Sequence, residues 1–220
     1  MIIRYTGHAC FKIMDEKTGY SIMFDPYKPG SVPGFRDIKD IASEVHASHM
    51  HDDHFGIECV RLEKRGESPY KVEYIDTYHD PEKGAHRGEN RIYIITDKTT
   101  GEKLVHYGDI GEKIDDLLTE ENMALLGNAD IALVPIGGTY TYDMDEALEL
   151  INRTTPKLAM PMHYRSEIAG FGLPEIGTLE KFIDLASKSG KKVFVGRVSY
   201  INTGDIDLDC DILALKPHNI

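Results

Sequence analysis

The first quarter of the chain contains short apolar segments separated by turn residues. Residues 9–15 and 20–24 are two such segments, and the residues between them, 17–19, end in a glycine that favours a turn. This pattern predicts a β-hairpin. Pro26 ends the second strand because proline has no N–H to donate to a sheet ladder. A loop rich in glycine and proline follows over residues 26–34.

The rest of the chain alternates between strand-like and helix-like patterns. Strands are predicted at residues 45–48, 72–77, 91–96, 103–107, 131–134, 157–160 and 192–195. Helices are predicted at residues 57–64, 113–118, 120–126, 144–152 and 179–186, the last of which ends before Gly190. No repeat or low-complexity linker interrupts the pattern. We therefore predict one α/β domain over residues 1–220, with an antiparallel opening and several layer arrangements still open.

Composition and charge narrow the classes of partner. The chain has 220 residues, of which 41% are hydrophobic and 28% charged, as is typical of a globular protein. Its 37 acidic and 25 basic residues give a formal net charge of −12. This charge repels phosphate backbones at long range and disfavours nucleic acid as a partner. A metal site can be locally positive, so a small-molecule substrate, anionic ones included, stays open.

Cysteine usage and hydropathy indicate the compartment. The three cysteines lie far apart and form no CxxC pair, which favours a reducing environment. The first residues lack the pattern of a signal peptide, and no apolar run approaches the roughly 20 residues that span a bilayer. We therefore expect a cytoplasmic protein with no membrane contact. A homo-oligomer and a monomer both remain open.

A dense cluster of metal-ligating side chains lies at residues 49–54. His49, His51, Asp53 and His54 bring three imidazoles and a carboxylate into six residues. Such crowding is costly unless something binds the donors, and a divalent metal ion offsets that cost. At the end of a strand, His49 and His51 point the same way, and a following turn can aim Asp53 and His54 at a second ion. The alternative is a histidine-rich surface loop that binds metal adventitiously.

This HxHxDH pattern resembles the metallo-β-lactamase superfamily, and further landmarks of that superfamily follow in the expected order. These are Asp25 after an early strand, His79 and Asp109 after later strands, and His163 after a late strand. The resemblance implies an α/β (α+β) fold, a four-layer αββα sandwich. In that sandwich the metals lie at the edge between two β-sheets.

The resemblance also implies two divalent metal ions per chain. One would be bound by His49, His51 and His79, the other by Asp53, His54 and His163, with Asp109 bridging both. Imidazole and carboxylate donors favour zinc, with manganese or iron as alternatives. His86 competes with His79 for the first site. His79 is preferred because it lies directly at a strand end, where a ligand is held rigidly.

A closer resemblance is to small lactamase-fold hydrolases of the ascorbate-6-phosphate lactonase-like subgroup, carried by residues 7–11, 87–90 and 137–140. Around the ligands, Asp25 is predicted to accept a hydrogen bond from a ligating histidine and fix its ring. His8 either lines the site or is a structural histidine. Tyr140 and Tyr164 are candidates for substrate contact, although tyrosine is also common in cores and rims.

The predicted activity is hydrolysis by a metal-activated water. Asp53 is the predicted catalytic residue, since it can both ligate a metal and orient the water or accept its proton. An ester or lactone is the first substrate class and a phosphodiester the second. The alternatives are an iron-dependent, dioxygenase-like oxidoreductase on the same fold and a non-catalytic metal-binding module. Substrate choice is predicted to depend on the loops at residues 26–36, 80–90 and 165–174.

Overall fold

The computed structural model describes residues 1–205 and 209–220. Its β-strands are β1 (Ile2–Gly7), β2 (Cys10–Met14), β3 (Ser21–Phe24), β4 (Asp40–Ala42), β5 (Glu44–His46), β6 (Val60–Leu62), β7 (Tyr70–Tyr78), β8 (Glu89–Asp97), β9 (Lys103–His106), β10 (Ile131–Pro135), β11 (Leu158–Met162), β12 (Val193–Val195), β13 (Tyr200–Asn202) and β14 (Ile212–Ala214). Its α-helices are α1 (Ile114–Leu117), α2 (Glu120–Leu126), α3 (Met144–Thr154) and α4 (Leu179–Lys188). Within these residues no helix has both the length and the apolar character needed to cross a membrane.

Two large sheets organise the molecule. One has five strands in the order β13-β1-β2-β3-β5, and the other has seven in the order β12-β14-β11-β10-β9-β8-β7. The predicted hairpin of β2 and β3 is antiparallel, with Phe11 opposite Phe24. In the larger sheet β7, β8 and β9 are successively antiparallel, whereas β9, β10 and β11 are parallel. The strands β4 and β6 form a separate two-stranded pair.

Side-chain alternation along the hairpin explains how the sheets pack. Phe11 and Phe24 point to one face and join a main core that also contains apolar residues of the seven-stranded sheet, such as Leu133. Cys10 and Met23 point to the other face and join a second cluster. The main core therefore lies between the two sheets, and its burial of apolar surface is the main stabilising term of the fold.

The outer layers differ on the two sides. Helices α3 and α4 bury apolar stripes, including Ile151 and Phe182, in the main core. The second cluster, over the other face of the five-stranded sheet, takes its remaining members from loops and short strands between Tyr27 and Val60. The predicted α/β fold of the metallo-β-lactamase type is confirmed, and in the described residues the second cluster contains no α-helical residue.

The helix predicted over residues 57–64 is wrong. A single 3-10 turn over Ile57–Cys59 is followed by β6, which pairs in parallel with β4. Val60 is buried in the second cluster while Leu62 is 60% exposed, so strand pairing outweighs the weak helical spacing. Strands β1, β4, β13 and β14 were not predicted from the sequence. The other predicted strands and helices are present, with ends that differ by a few residues.

Asp143 begins α3 with a reciprocal capping box. Its side chain accepts hydrogen bonds from the backbone N–H groups of Asp145 and Glu146, and Glu146 accepts one from the N–H of Asp143. We expect Asp143→Ala to lower the free energy of unfolding by about 1 kcal/mol, measured by urea denaturation. The exposed-loop variant Glu67→Ala is the control, and equal losses in both variants would contradict a capping effect.

Candidate metal centre

The predicted ligands lie at one edge of the two sheets. Residues 49–54 follow β5, and His79, Asp109 and His163 follow β7, β9 and β11. Those last three strands run in the same direction, because β7 and β9 are each antiparallel to β8, and β9 and β11 are each parallel to β10. Their carboxyl ends therefore meet at the same edge, which brings together side chains far apart in the sequence.

Ligand atoms of the cluster form two main groups, and a third set, His49, His54 and Asp109, links them through a single carboxylate. Within each group the ligand atoms lie within 4.8 Å of one another: His49, His51 and His79 in the first, and His8, Asp53, His54 and His163 in the second. Asp109 joins them. Its Oδ2 is 3.0 Å from Nε2 of His79 and 3.1 Å from Nε2 of both His54 and His163. Asp109 is therefore placed where a carboxylate can contact two ions.

Several residues of the centre have unusual backbone conformations. His8, Asp25 and His163 have positive φ angles of 57°, 47° and 51°. Such angles are uncommon outside glycine, and they cluster at functional sites where surrounding contacts hold them. Gly108, with φ of 57°, precedes Asp109, and a Cβ there would lie 2.3 Å from Oδ1 of Asn90. Only glycine fits at that position.

Asp25 orients His54 from beneath. The Asp25 carboxylate is fully buried and accepts hydrogen bonds from Nδ1 of His54 at 2.9 Å and from the backbone N–H and hydroxyl of Ser48 at 2.6 and 2.7 Å. This hydrogen bond to a histidine is the one that the sequence analysis expects. It leaves Nε2 of His54 directed at Asp109, the arrangement by which an outer carboxylate fixes a metal-ligating imidazole.

Asn90 supports the centre, although the sequence analysis assigned it no role of its own. Its Oδ1 accepts a hydrogen bond from the N–H of Asp109 at 2.9 Å, and its Nδ2 donates to the carbonyl of Tyr107 and the hydroxyl of Thr77. The available signal was its place as the last residue of the 87–90 stretch that carries part of the subgroup resemblance. Asn90 carries a neutral amide and belongs to no metal-ligand motif, so the sequence pattern did not identify it.

Burial and charge set the protonation of the imidazoles. Burial lowers the pKa of His49 to about 3 and that of His8 to about 4, so both are neutral near pH 7. Burial alone would lower the pKa of His54, but the carboxylates of Asp109, Asp53 and Asp25 raise it well above its usual value. Three carboxylates around the imidazole of His54 therefore favour a positive charge between them. A divalent metal ion supplies such a charge.

The donor set fits divalent metal ions. Nε2 of His49, His54 and His163 and Oδ1 of Asp109 are buried and have no hydrogen-bond partner among residues 1–205 and 209–220. Buried polar atoms normally have a partner, so a group of convergent ones indicates a bound species. Imidazole nitrogens mixed with carboxylate oxygens suit zinc, and also manganese or iron.

A cleft of about 490 Å³ opens onto this centre and is lined on that side by His51, Asp53, His79 and Asp109. Each of the three loops predicted to set specificity contributes to its wall. The lining residues from these loops are Ser31, His86, Arg87 and Leu173, and Asp52, Tyr140 and Glu175 complete the wall.

The remaining candidate residues, Tyr140, Tyr164 and His86, lie in different places relative to the cleft. Tyr140 lines the cleft and donates from its hydroxyl to Oε1 of Glu175 at 2.6 Å. Of the two roles left open for Tyr164, the structure favours the core, because its fully buried ring packs near Tyr5, away from the cleft. His86 is in the cleft wall but outside both ligand groups, so the geometry favours His79.

His8 contacts Asp53 from inside the protein. Its fully buried ring places Nε2 3.1 Å from Oδ2 of Asp53, and its centroid lies 4.1 Å from that of the tilted His163 ring. We expect His8→Ala to weaken metal affinity by about 10- to 100-fold, measured by competition with a chelator, because Asp53 loses the group that orients it. His8→Gln retains a donor and should recover part of the affinity. Unchanged affinity in His8→Ala would assign the ring a purely structural role.

Comparison with known proteins agrees with this geometry. A family model described as beta-lactamase superfamily domain matches residues 2–163. A UPF0173 metal-dependent hydrolase of Thermoplasma volcanium is 28% identical, over 89% of this chain and 96% of that protein. Its namesake in Methanocaldococcus jannaschii is 28% identical, over 90% and 97%. A solved Thermotoga maritima structure, described as a candidate Zn-dependent hydrolase, has a TM-score of 0.67 and 24% identity over 97% of each chain.

Two sheets that bring histidines and aspartates to a common edge define the class of this protein, a metal-dependent hydrolase of the metallo-β-lactamase superfamily. Within that class the chain belongs to the beta-lactamase superfamily domain family, whose model matches most of its length. The resemblance to the ascorbate-6-phosphate lactonase-like subgroup stays a prediction.

Proposed function

We propose that this protein binds two divalent metal ions, zinc first, and hydrolyses a small ester or lactone, with phosphodiesters as the second substrate class. One observation carries the proposal: two groups of ligand atoms meet at Oδ2 of Asp109. His49, His51 and His79 would hold one ion, and Asp53, His54 and His163 the other. Asp109 would contact both.

When bound, two such ions supply hydroxide at neutral pH and polarise the bond to be cleaved. Asp53 is the residue of the second group that also faces the cleft. Burial alone would raise its pKa, but the charge of His54 and the hydrogen bond from His8 lower it well below its usual value. An ionised Asp53 suits ligation and a hydrogen bond from the attacking water better than it suits storage of a proton.

The shape of the cleft supports a small substrate. Its volume of about 490 Å³ is within the range of small-molecule sites. Most of its lining residues are of polar or charged types, with Leu173 as the one aliphatic lining residue in the described parts of the chain. A compact, polar ester or lactone fits such a wall better than a long apolar chain.

The test combines elemental analysis with a substrate panel. Wild type and His51→Ala are purified without added metal and assayed on 4-nitrophenyl esters, lactones and bis(4-nitrophenyl) phosphate. We expect about two metal ions per chain in wild type and a loss of both metal and hydrolysis in His51→Ala. His218→Ala is the matched control, since this exposed histidine is outside both ligand groups.

Other outcomes would change the assignment. Metal content that is unaffected by His51→Ala would overturn the ligand assignment. Bound iron together with oxygen consumption would favour the oxidoreductase alternative. Two correctly bound ions without hydrolysis of any compound in the panel would favour a metal-binding module.

A further inference from the structure

One side chain of the cleft carries a fixed positive charge. Arg87 is the only lysine or arginine among the described residues that line it. Arg87 also lines an adjoining groove, together with His51 and Met50. It therefore lies where the cleft and the groove meet. The guanidinium therefore lies beside the first ligand group, where a substrate would be held.

In the described parts of the chain, the guanidinium of Arg87 has no acidic partner. Over residues 1–205 and 209–220, no carboxylate oxygen lies within 4.0 Å of its nitrogens. Its Cζ instead lies 5.5 Å from the ring centroid of Tyr140, whose hydroxyl is engaged by Glu175. An arginine over an aromatic face keeps N–H donors free at its edge, in the planar fork that suits carboxylate and phosphate.

The acidic residues of the same wall are already engaged. Asp52 accepts a hydrogen bond from Nζ of Lys28 at 2.8 Å, and Glu175 accepts one from Tyr140 at 2.6 Å. Outside the metal cluster, Arg87 is thus the charged side chain of the wall whose hydrogen-bond donors stay available to a ligand.

A buried carboxylate fixes the loop that carries Arg87. Asp80 is fully buried and accepts four backbone hydrogen bonds, from the N–H groups of Glu82, Gly84, His86 and Arg87, at 2.7 to 3.0 Å. These contacts hold the backbone of Arg87 itself at the edge of the cleft. A binding group whose backbone is already ordered loses less entropy when it engages a ligand.

We propose that Arg87 binds an anionic group of the substrate. This proposal rests on the proposed hydrolase function and narrows its substrate class: an ester or lactone that carries a carboxylate or a phosphate near the bond to be cleaved. The metal centre acts on the ester or lactone bond, and Arg87 selects for the neighbouring charge.

The test compares charged and neutral esters of similar size. Metal-loaded wild type, Arg87→Met and the control Arg61→Met, an exposed arginine outside the cleft, are assayed on 4-nitrophenyl butyrate and mono-4-nitrophenyl succinate. We expect Arg87→Met to lower kcat/KM for the succinate ester by about 10- to 100-fold and for the butyrate by less than about threefold. The 4-nitrophenyl ester of phosphonoacetic acid distinguishes a phosphate-like group from a carboxylate.

A binding measurement separates this proposal from the hydrolase assignment. Calorimetry of inorganic phosphate with the same three metal-loaded proteins should show affinity reduced about tenfold or more in Arg87→Met alone. Equal effects on both esters, or phosphate affinity unchanged in Arg87→Met, would overturn the role of Arg87. Absence of hydrolysis in wild type with phosphate affinity still dependent on Arg87 would overturn the hydrolase assignment and leave the anion site standing.

Discussion

Replacing Asp109 with asparagine is expected to lower hydrolysis by about 10³-fold and to reduce the metal content of the protein. The side chain keeps its shape, but its charge is lost. Oδ2 of Asp109 lies within 3.1 Å of Nε2 of His54, His79 and His163, which belong to both ligand groups. A neutral amide at that point stabilises two adjacent cations far less than a carboxylate does.

The measurement is kcat/KM on the best ester of the panel, with metal content determined on the same samples. Asp115→Asn is the matched control, since this aspartate is 89% exposed, pairs with Arg153 and lies outside both ligand groups. Full metal content and full activity in Asp109→Asn would show that Asp109 is not the shared ligand. Retained metal with lost activity would still place it at the reacting groups.

The local part of the centre was predictable because it is contiguous. Residues 49–54 place four donors on one turn, and no fold is needed to bring them together. His79, Asp109 and His163 are different, since they meet only because β7, β9 and β11 run in the same direction at one sheet edge. Spacing alone does not specify that topology, and the family resemblance supplied their order.

The supporting residues were harder to predict because their partners are distant. Asn90 bonds the backbone of Asp109, which is 19 residues away, and Ser48 bonds Asp25, which is 23 residues away. Neither residue type is specific for such a role. For Tyr164 the residue type left cleft and core both open, and only the fold, which directs its ring into the core, decides between them.

Three of the strands that were missed share a physical cause. β4, β13 and β14 have three residues each, too few for a period of two to stand out. Their stability comes from pairing with other segments, as β14 does with β12 on one side and β11 on the other. Helix α3 was found readily, since its apolar stripe and cap are encoded within the segment itself.

Removal of metal is expected to lower the melting temperature by about 8 to 16 °C. A ligand present at about 1,000 times its Kd stabilises the folded state by about 4 kcal/mol, and about 2 to 4 °C per kcal/mol applies at this chain length. The charges explain why the effect should be large. Asp25, Asp53 and Asp109 surround His54, and without metal ions the charge of that imidazole offsets only part of their mutual repulsion.

Thermal unfolding is measured on metal-loaded protein, after dialysis against chelator, and after return of Zn²⁺ or Mn²⁺. His49→Ala removes a ligand of the first group only, and His163→Ala one of the second only. Each variant should lose part of the shift, because the other group can still bind an ion. If both variants kept the full shift, the stabilising metal would be bound elsewhere. If the shift vanished completely in each, the two ions would bind only as a pair, which their shared contact with Asp109 makes physically reasonable.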